Sequence, residues 1–153
     1  MKRLHVSFAV ADLEKSISFY TAMFGQEPTT KRDDYAKWML DDPRVNFVVE
    51  PAQSETGFNH AGIQVESEDE LEPLFDQFKQ AEGPYLPEGV TTCCYHKSEK
   101  SWTTDPDGVM WEAFHTKHQT EERGTAGPDL RPEAVATEMV RETPVPTHKG
   151  GCC

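Results

Sequence analysis

Two kinds of side chain in this 153-residue chain are placed for chemistry. The first is thiol: four cysteines stand as two adjacent pairs, Cys93-Cys94 and Cys152-Cys153. The second is a set of nitrogen and oxygen ligands, His5, His60 and Glu112, each inside a segment of alternating or apolar character. Neighbouring cysteines close no long loop, and a ring between them is strained, so they are poor staples. As free thiols they are ligands or nucleophiles. Two thiolates side by side suit one soft ion such as Cu(I) or Zn(II), and the same reasoning extends to As(III) and Cd(II). Successive strand residues face opposite ways, so a joint grip by Cys93 and Cys94 requires irregular backbone at the pair. Lys97 and Lys100, read as following in a loop, would lower the thiol pKa values electrostatically.

The elements that must position these groups repeat. Leu4, Val6, Phe8 and Val10 alternate with His5, Ser7 and Ala9, which predicts a half-buried strand. Asp12 then caps a helix whose apolar positions are Leu13, Ile17, Tyr20 and Phe24, with Gly25 as the stop. Extended runs follow near 28–31, 35–40 and 45–49. The order recurs from Asn59, with Ala61, Ile63 and Val65 opposite His60, Gly62 and Gln64. Ser67 and Glu70 have the spacing of a capping box ahead of Leu71, Leu74, Phe75 and Phe78. Pro73 argues for a helix start later than that box, and Gly83 ends it. Extended segments near 90–94, 100–104 and 109–115 complete the second unit, the last two joined by the turn Asp105-Pro106-Asp107-Gly108. Asp41-Asp42-Pro43-Arg44 holds the same place in the first unit. The chain therefore reads as two β-α-β-β-β halves joined near 50–57. Each half has a four-stranded sheet with a helix on one face, and the other faces together form a cleft.

Matched by strand order, His5 and His60 fall at equivalent inward positions, and Val48 falls opposite Glu112. Two imidazoles, one carboxylate and one blank make a site with open coordination positions, suited to non-haem Fe(II) and oxygen chemistry, with Zn(II) and Mn(II) as alternatives. A register differing by two would put Glu50 in place of Val48 and give four ligands. A carboxylate in Met110-Trp111-Glu112-Ala113-Phe114 needs a cation or a donor in any case. His96, His115, His118 and His148 are read as facing solvent.

All fifteen Phe, Trp and Tyr residues lie between Phe8 and Phe114, whereas residues 119–153 hold none, with four prolines and ten charged side chains. The expected organisation is one folded domain over 1–118, with modules at about 1–50 and 58–118, and a disordered Cys-terminated tail over 119–153. The Cys152-Cys153 pair would capture a thiophilic compound and pass it to Cys93-Cys94. A net charge of −12 disfavours a nucleic-acid partner. No apolar run is long enough to span a membrane, and no signal peptide is visible at Met1–His5, so the expected compartment is the cytoplasm.

With His5, His60 and Glu112 on a duplicated βαβββ frame, the chain resembles the vicinal oxygen chelate superfamily of glyoxalase I, extradiol dioxygenases and fosfomycin-resistance enzymes. Thr92-Cys93-Cys94-Tyr95, followed by Lys100, Trp102 and the run from Asp105 to Glu112, is similar within it to the carbon–arsenic lyases and the related cadmium-induced proteins. The resemblance spans about residues 1–118. It implies an α+β fold of tandem βαβββ modules paired as half-barrels. It also implies a non-haem Fe(II)- and O2-dependent dioxygenase acting as a carbon–arsenic lyase on trivalent organoarsenicals, methyl or aromatic. The products would be arsenite and an oxygenated organic fragment, which confers organoarsenical resistance. His5, His60 and Glu112 would hold iron, and Cys93 and Cys94 would bind arsenic, in a monomer or homodimer. The rival reading is a thiol protein that sequesters arsenite or cadmium without turnover. Another metalloenzyme of this fold and a metal-free drug-binding domain are further rivals.

Overall fold

The computed structural model describes residues 1–81 and 83–124. In chain order the elements are β1 (Arg3–Val10), α1 (Leu13–Phe24), β2 (Thr30–Arg32), β3 (Tyr35–Asp41), β4 (Arg44–Pro51), β5 (Gly57–Val65), a 3-10 turn (Glu68–Glu70), α2 (Leu71–Gln80), β6 (Tyr85–Cys93), β7 (His96–Thr104) and β8 (Met110–Gln119). Both halves therefore have the β-α-β-β-β order read from the sequence. They do not stay separate sheets. β1 pairs antiparallel with β5, and the strands join as one eight-stranded sheet in the order β2-β3-β4-β1-β5-β8-β7-β6. Joining the halves edge to edge leaves neither first strand with unpaired backbone groups.

Local chemistry explains the elements. Asp12 Oδ1 accepts from the Lys15 amide at 3.1 Å and caps α1. Gly25 ends the helix with φ 68°, a left-handed conformation in which a Cβ is disfavoured. Glu70 turns back to accept from the Glu66 amide, and α2 begins at Leu71. Pro73 thus falls in the first helical turn, where its missing N–H leaves no intrahelical bond unmade. In the turn before β8, Asp105 Oδ1 accepts from the amides of Asp107 and Val109, both at 2.9 Å.

Each helix covers the outer face of its own half. Leu13 and Ile17 of α1 pack with Trp38, Leu40, Phe47 and Val49, and Tyr20 and Phe24 add to that cluster. Leu71, Leu74, Phe75 and Phe78 of α2 pack with Val65 and Ala113. The inner face is the informative one. On β1, Arg3, His5 and Ser7 are buried, whereas Leu4 on the alternate face is exposed. Buried polar side chains on the concave side of a sheet mark a site rather than a core. No described helix is long and apolar enough to cross a membrane.

The strand expected at 100–104 starts at His96, and the one expected at 90–94 starts at Tyr85. Lys97 and Lys100 therefore lie on a strand and not in a loop. β8 runs to Gln119, and residues 120–124 return to the hairpin, where the Thr120 and Gly124 amides donate to the carbonyls of Tyr95 and Cys94. Cys152, Cys153, His148 and most of the tail expected to be disordered lie outside the described residues.

Candidate functional site

The concave face encloses a cleft of about 410 Å³ lined from both halves of the sheet. His5, on β1, and His60, on β5, meet at its floor with Nε2 atoms 3.1 Å apart. Glu112, on β8, brings Oε2 to 3.7 Å from His5 Nε2 and 3.8 Å from His60 Nε2. A point equidistant from three atoms at these separations lies roughly 2.1 Å from each, the length of a divalent metal bond to imidazole nitrogen or carboxylate oxygen. These three are the cluster of ligating residues found among the described residues.

The register explains the convergence. Gly62 pairs with His5 on one side and with Glu112 on the other. A Cβ at Gly62 would stand 2.7 Å from the Glu112 carbonyl oxygen and 3.1 Å from its Cβ, so the missing side chain is what lets β8 approach β5 at Glu112. In the first half, Ser7 pairs with Val48 just as Gly62 pairs with Glu112, each two residues after its histidine. Val48 is therefore the register equivalent of Glu112, and Glu50 lies two positions further along β4.

Electrostatics suit ligation. Burial lowers the His5 pKa, against a raising effect of Glu112, and burial together with His5 takes His60 to about 4. Both rings are neutral at pH 7, the form that binds metal. His5 Nδ1 donates to the Asn46 carbonyl at 3.1 Å, which leaves the Nε2 lone pair directed at His60 and Glu112. Burial raises Glu112, but Lys100, His5 and His60 outweigh it and hold the carboxylate below its ordinary pKa.

Lys100 is the donor that the apolar surroundings of Glu112 demanded. Its Nζ is bonded to Glu112 Oε1, and the rings of Trp102 and Phe114 each lie 5.7 Å from it. Burial disfavours the ammonium, yet Glu112 and Cys93 hold its pKa above the usual value.

The thiols sit at the hairpin between β6 and β7, where Cys93 pairs with His96. Cys94 has φ 54°, left-handed for a residue with a side chain. That departure from strand geometry turns both thiols to one side, with Sγ atoms 3.7 Å apart in the same cleft. The hydrogen bond from Cys94 lowers the Cys93 pKa against the effect of burial, and Lys100 adds to it. Cys94, as the donor, is raised well above its usual range by that bond and by burial.

His96 is not on the solvent face. It is half-buried in the cleft, with Nε2 2.5 Å from Lys37 Nζ on β3. His115 is half-buried too, its Nδ1 without a partner among the described residues, whereas His118 is exposed. Lys37, His96 and Arg123 are, with Tyr35 and Asn46, among the cleft residues that the sequence pattern did not place there. Extending β7 back to His96 would have found one of them, because His96, Ser98, Lys100 and Trp102 alternate onto the inner face.

Residues 2–113 match the family model of the Glyoxalase/Bleomycin resistance protein/Dioxygenase superfamily. A trivalent organoarsenical cleaving enzyme of Bacillus sp. (strain MD1) is 43% identical over 133 residues, which is 84% of this chain and 81% of that protein. The cadmium-induced protein CadI of Mycobacterium bovis is 32% identical over 82% of this chain and 83% of its own length. Among solved structures, an extradiol ring-cleaving dioxygenase from B. fuscum aligns with a TM-score of 0.56 at 15% identity, covering 78% of this chain and 34% of that one. At that identity the likeness speaks for the fold alone.

Proposed function

The chain belongs to the Glyoxalase/Bleomycin resistance protein/Dioxygenase superfamily, and from that membership we propose that it is a carbon–arsenic lyase. In this reading it is a non-haem Fe(II)- and O2-dependent dioxygenase that degrades trivalent organoarsenicals to arsenite. The observation that carries the reading is a single cleft holding both an adjacent thiol pair and a set of two imidazoles and one carboxylate. The 43% identity to an organoarsenical cleaving enzyme supports it.

The residues divide the work. A trivalent arsenical R–As(OH)2 condenses with Cys93 and Cys94. Two As–S bonds form, two As–O bonds break, and the thiol protons leave with the hydroxyls as two waters. Cys93, with the lower pKa, attacks first, and Cys94 follows. Arsenic then keeps its organic group as the third substituent, held within the cleft. His5, His60 and Glu112 would hold the metal, and Fe(II) bound there supplies the binding and reduction of dioxygen. Lys100 fixes one carboxylate oxygen of Glu112 so that the other stays directed at the imidazoles. Trp102 and Phe114, both buried, exclude water from that wall. A reducing cytoplasm would keep both thiols free.

One contact favours the second reading, a thiol protein that sequesters arsenite or cadmium. Lys100 already neutralises Glu112, so the carboxylate has a role without any metal. Loading the protein anaerobically with Fe(II) and adding oxygen with phenylarsenous acid separates the two. Oxygen uptake with arsenite release, lost in Glu112→Ala and in Cys93→Ser, supports the lyase. Stoichiometric arsenical binding with no oxygen uptake transfers the assignment to sequestration.

A further inference from the structure

Among the described residues three cations line the cleft, and two of them are matched. Lys100 is paired with Glu112, and Arg123 with Asp34 and with Glu50. The third, Lys37, has no carboxylate partner among the described residues; its contact is the neutral ring of His96, 2.5 Å away. Burial and the Lys37 charge take His96 to about 4, so at pH 7 its Nε2 carries a lone pair and accepts from the ammonium. That contact uses one of three N–H donors and leaves two for a ligand. Burial lowers Lys37 to about 8, which leaves it mostly protonated at pH 7. A partly desolvated cation without an anion is unfavourable, and one that opens onto a binding cleft is matched when an anion arrives there.

The place of this pair fits a substrate contact. His96 is the strand partner of Cys93, so the ammonium reaches across the cleft to the wall that carries the thiols. With both sulfurs bonded to arsenic, neither thiol is an anion that could match Lys37. An arsenical held by both sulfurs has its organic group within the same cleft, as the proposed function requires.

Resting on that function, we propose that Lys37, oriented by His96, is a specificity determinant that selects organoarsenicals whose organic group carries an anionic substituent, such as an aromatic carboxylate. The contact acts on the organic group and not on the arsenic, so it sets which arsenical is preferred rather than whether arsenic is bound.

The test compares two trivalent arsenicals of similar shape on the full chain, 4-carboxyphenylarsenous acid and 4-methylphenylarsenous acid. Affinity is read by quenching of tryptophan fluorescence, and turnover by arsenite release. Wild type binds the carboxylate at least about tenfold more tightly, the range of a hydrogen bond to a charged group. Lys37→Met brings that ratio to about one, and Lys37→Arg keeps most of it. His96→Gln, which retains an acceptor, keeps more of the ratio than His96→Leu. A wild type without preference, or a Lys37→Met variant that loses both arsenicals equally, overturns the assignment. The affinities stand apart from turnover: if arsenicals bind with this preference and no arsenite is released, the lyase reading fails and the selectivity stands.

Discussion

Lys100 and Glu112 share a buried hydrogen bond through a single carboxylate oxygen, Oε1, while Oε2 faces His5 at 3.7 Å and His60 at 3.8 Å. The carboxylate thus gives one oxygen to a cation built into β7 and leaves the other facing the imidazoles, where the proposed metal would bind. Removing the built-in cation leaves a buried anion exposed to its own desolvation cost. Lys100→Met should destabilise the metal-free protein by about 3–5 kcal/mol. A divalent ion then supplies the missing charge, so Mn(II) should raise the thermal midpoint of Lys100→Met more than that of wild type. Equal shifts in the two proteins would show that the ion does not draw on Glu112.

Gly62 holds the space between His5 and Glu112. Gly62→Ala should force Glu112 aside, because the new Cβ meets backbone on β8 and not the end of a flexible side chain. Metal affinity should fall by about 10- to 100-fold, the scale of a disturbed ligand environment, with far-UV circular dichroism unchanged. Calorimetric titration with Mn(II) or Zn(II) checks this. An affinity equal to wild type would mean the ion lies elsewhere.

Cys94 holds a backbone conformation that its side chain disfavours. Its left-handed backbone costs about 1–2 kcal/mol for a residue with a side chain, and it is what turns Cys94 to the side of Cys93. Cys94→Gly should therefore raise the urea midpoint of unfolding and at the same time abolish the one-to-one phenylarsenous acid adduct seen by mass spectrometry. Cys94→Ser should lose the adduct without the gain in stability.

Much of this site was written in short-range patterns. Period-two alternation put His5 and His60 on the inner face, and the shared order of elements paired Val48 with Glu112. What was not legible has physical causes. β6 is an edge strand interrupted by Pro87 and Gly89, where its register shifts, so its pattern does not alternate cleanly. β7 begins with His96-Lys97-Ser98-Glu99-Lys100, whose polarity reads as a loop although the cleft buries its inner face. The contact of Lys37 with His96 joins residues 59 apart in sequence. It exists because the sheet curls, and curvature leaves no local mark in either segment.

Acid should unfold the metal-free protein partly through His96. Its pKa is about 4 in the folded chain, lowered by burial and then by Lys37, against about 6.5 when unfolded. Between those values the unfolded state binds more protons, so stability falls as pH is lowered through that window, and the group contributes nothing above it. His5 and His60 are lowered too and act in the same sense. Urea unfolding in EDTA should show wild type losing more stability between pH 7 and 4.5 than His96→Gln. Parallel curves would mean that His96 takes its proton as readily folded as unfolded.

Val48 is where the duplication puts an apolar side chain at the register equivalent of Glu112. It is buried, lines the cleft and occupies the place of Glu112 in the first half. Val48→Glu offers a fourth ligand from the symmetry-equivalent strand. The ion should then leave more slowly into EDTA, while turnover falls by about 10²-fold as a position needed by the reactants is filled. Lys37 complicates this in an informative way, because it is the strand partner of Val48 and would compete for the new carboxylate. If that pairing wins, Val48→Glu alone leaves metal retention unchanged, and the double variant Lys37→Met/Val48→Glu releases the carboxylate to the ion. Retention unchanged in both variants would mean that the two halves do not address a common centre, and the duplication would then explain the fold but not the site.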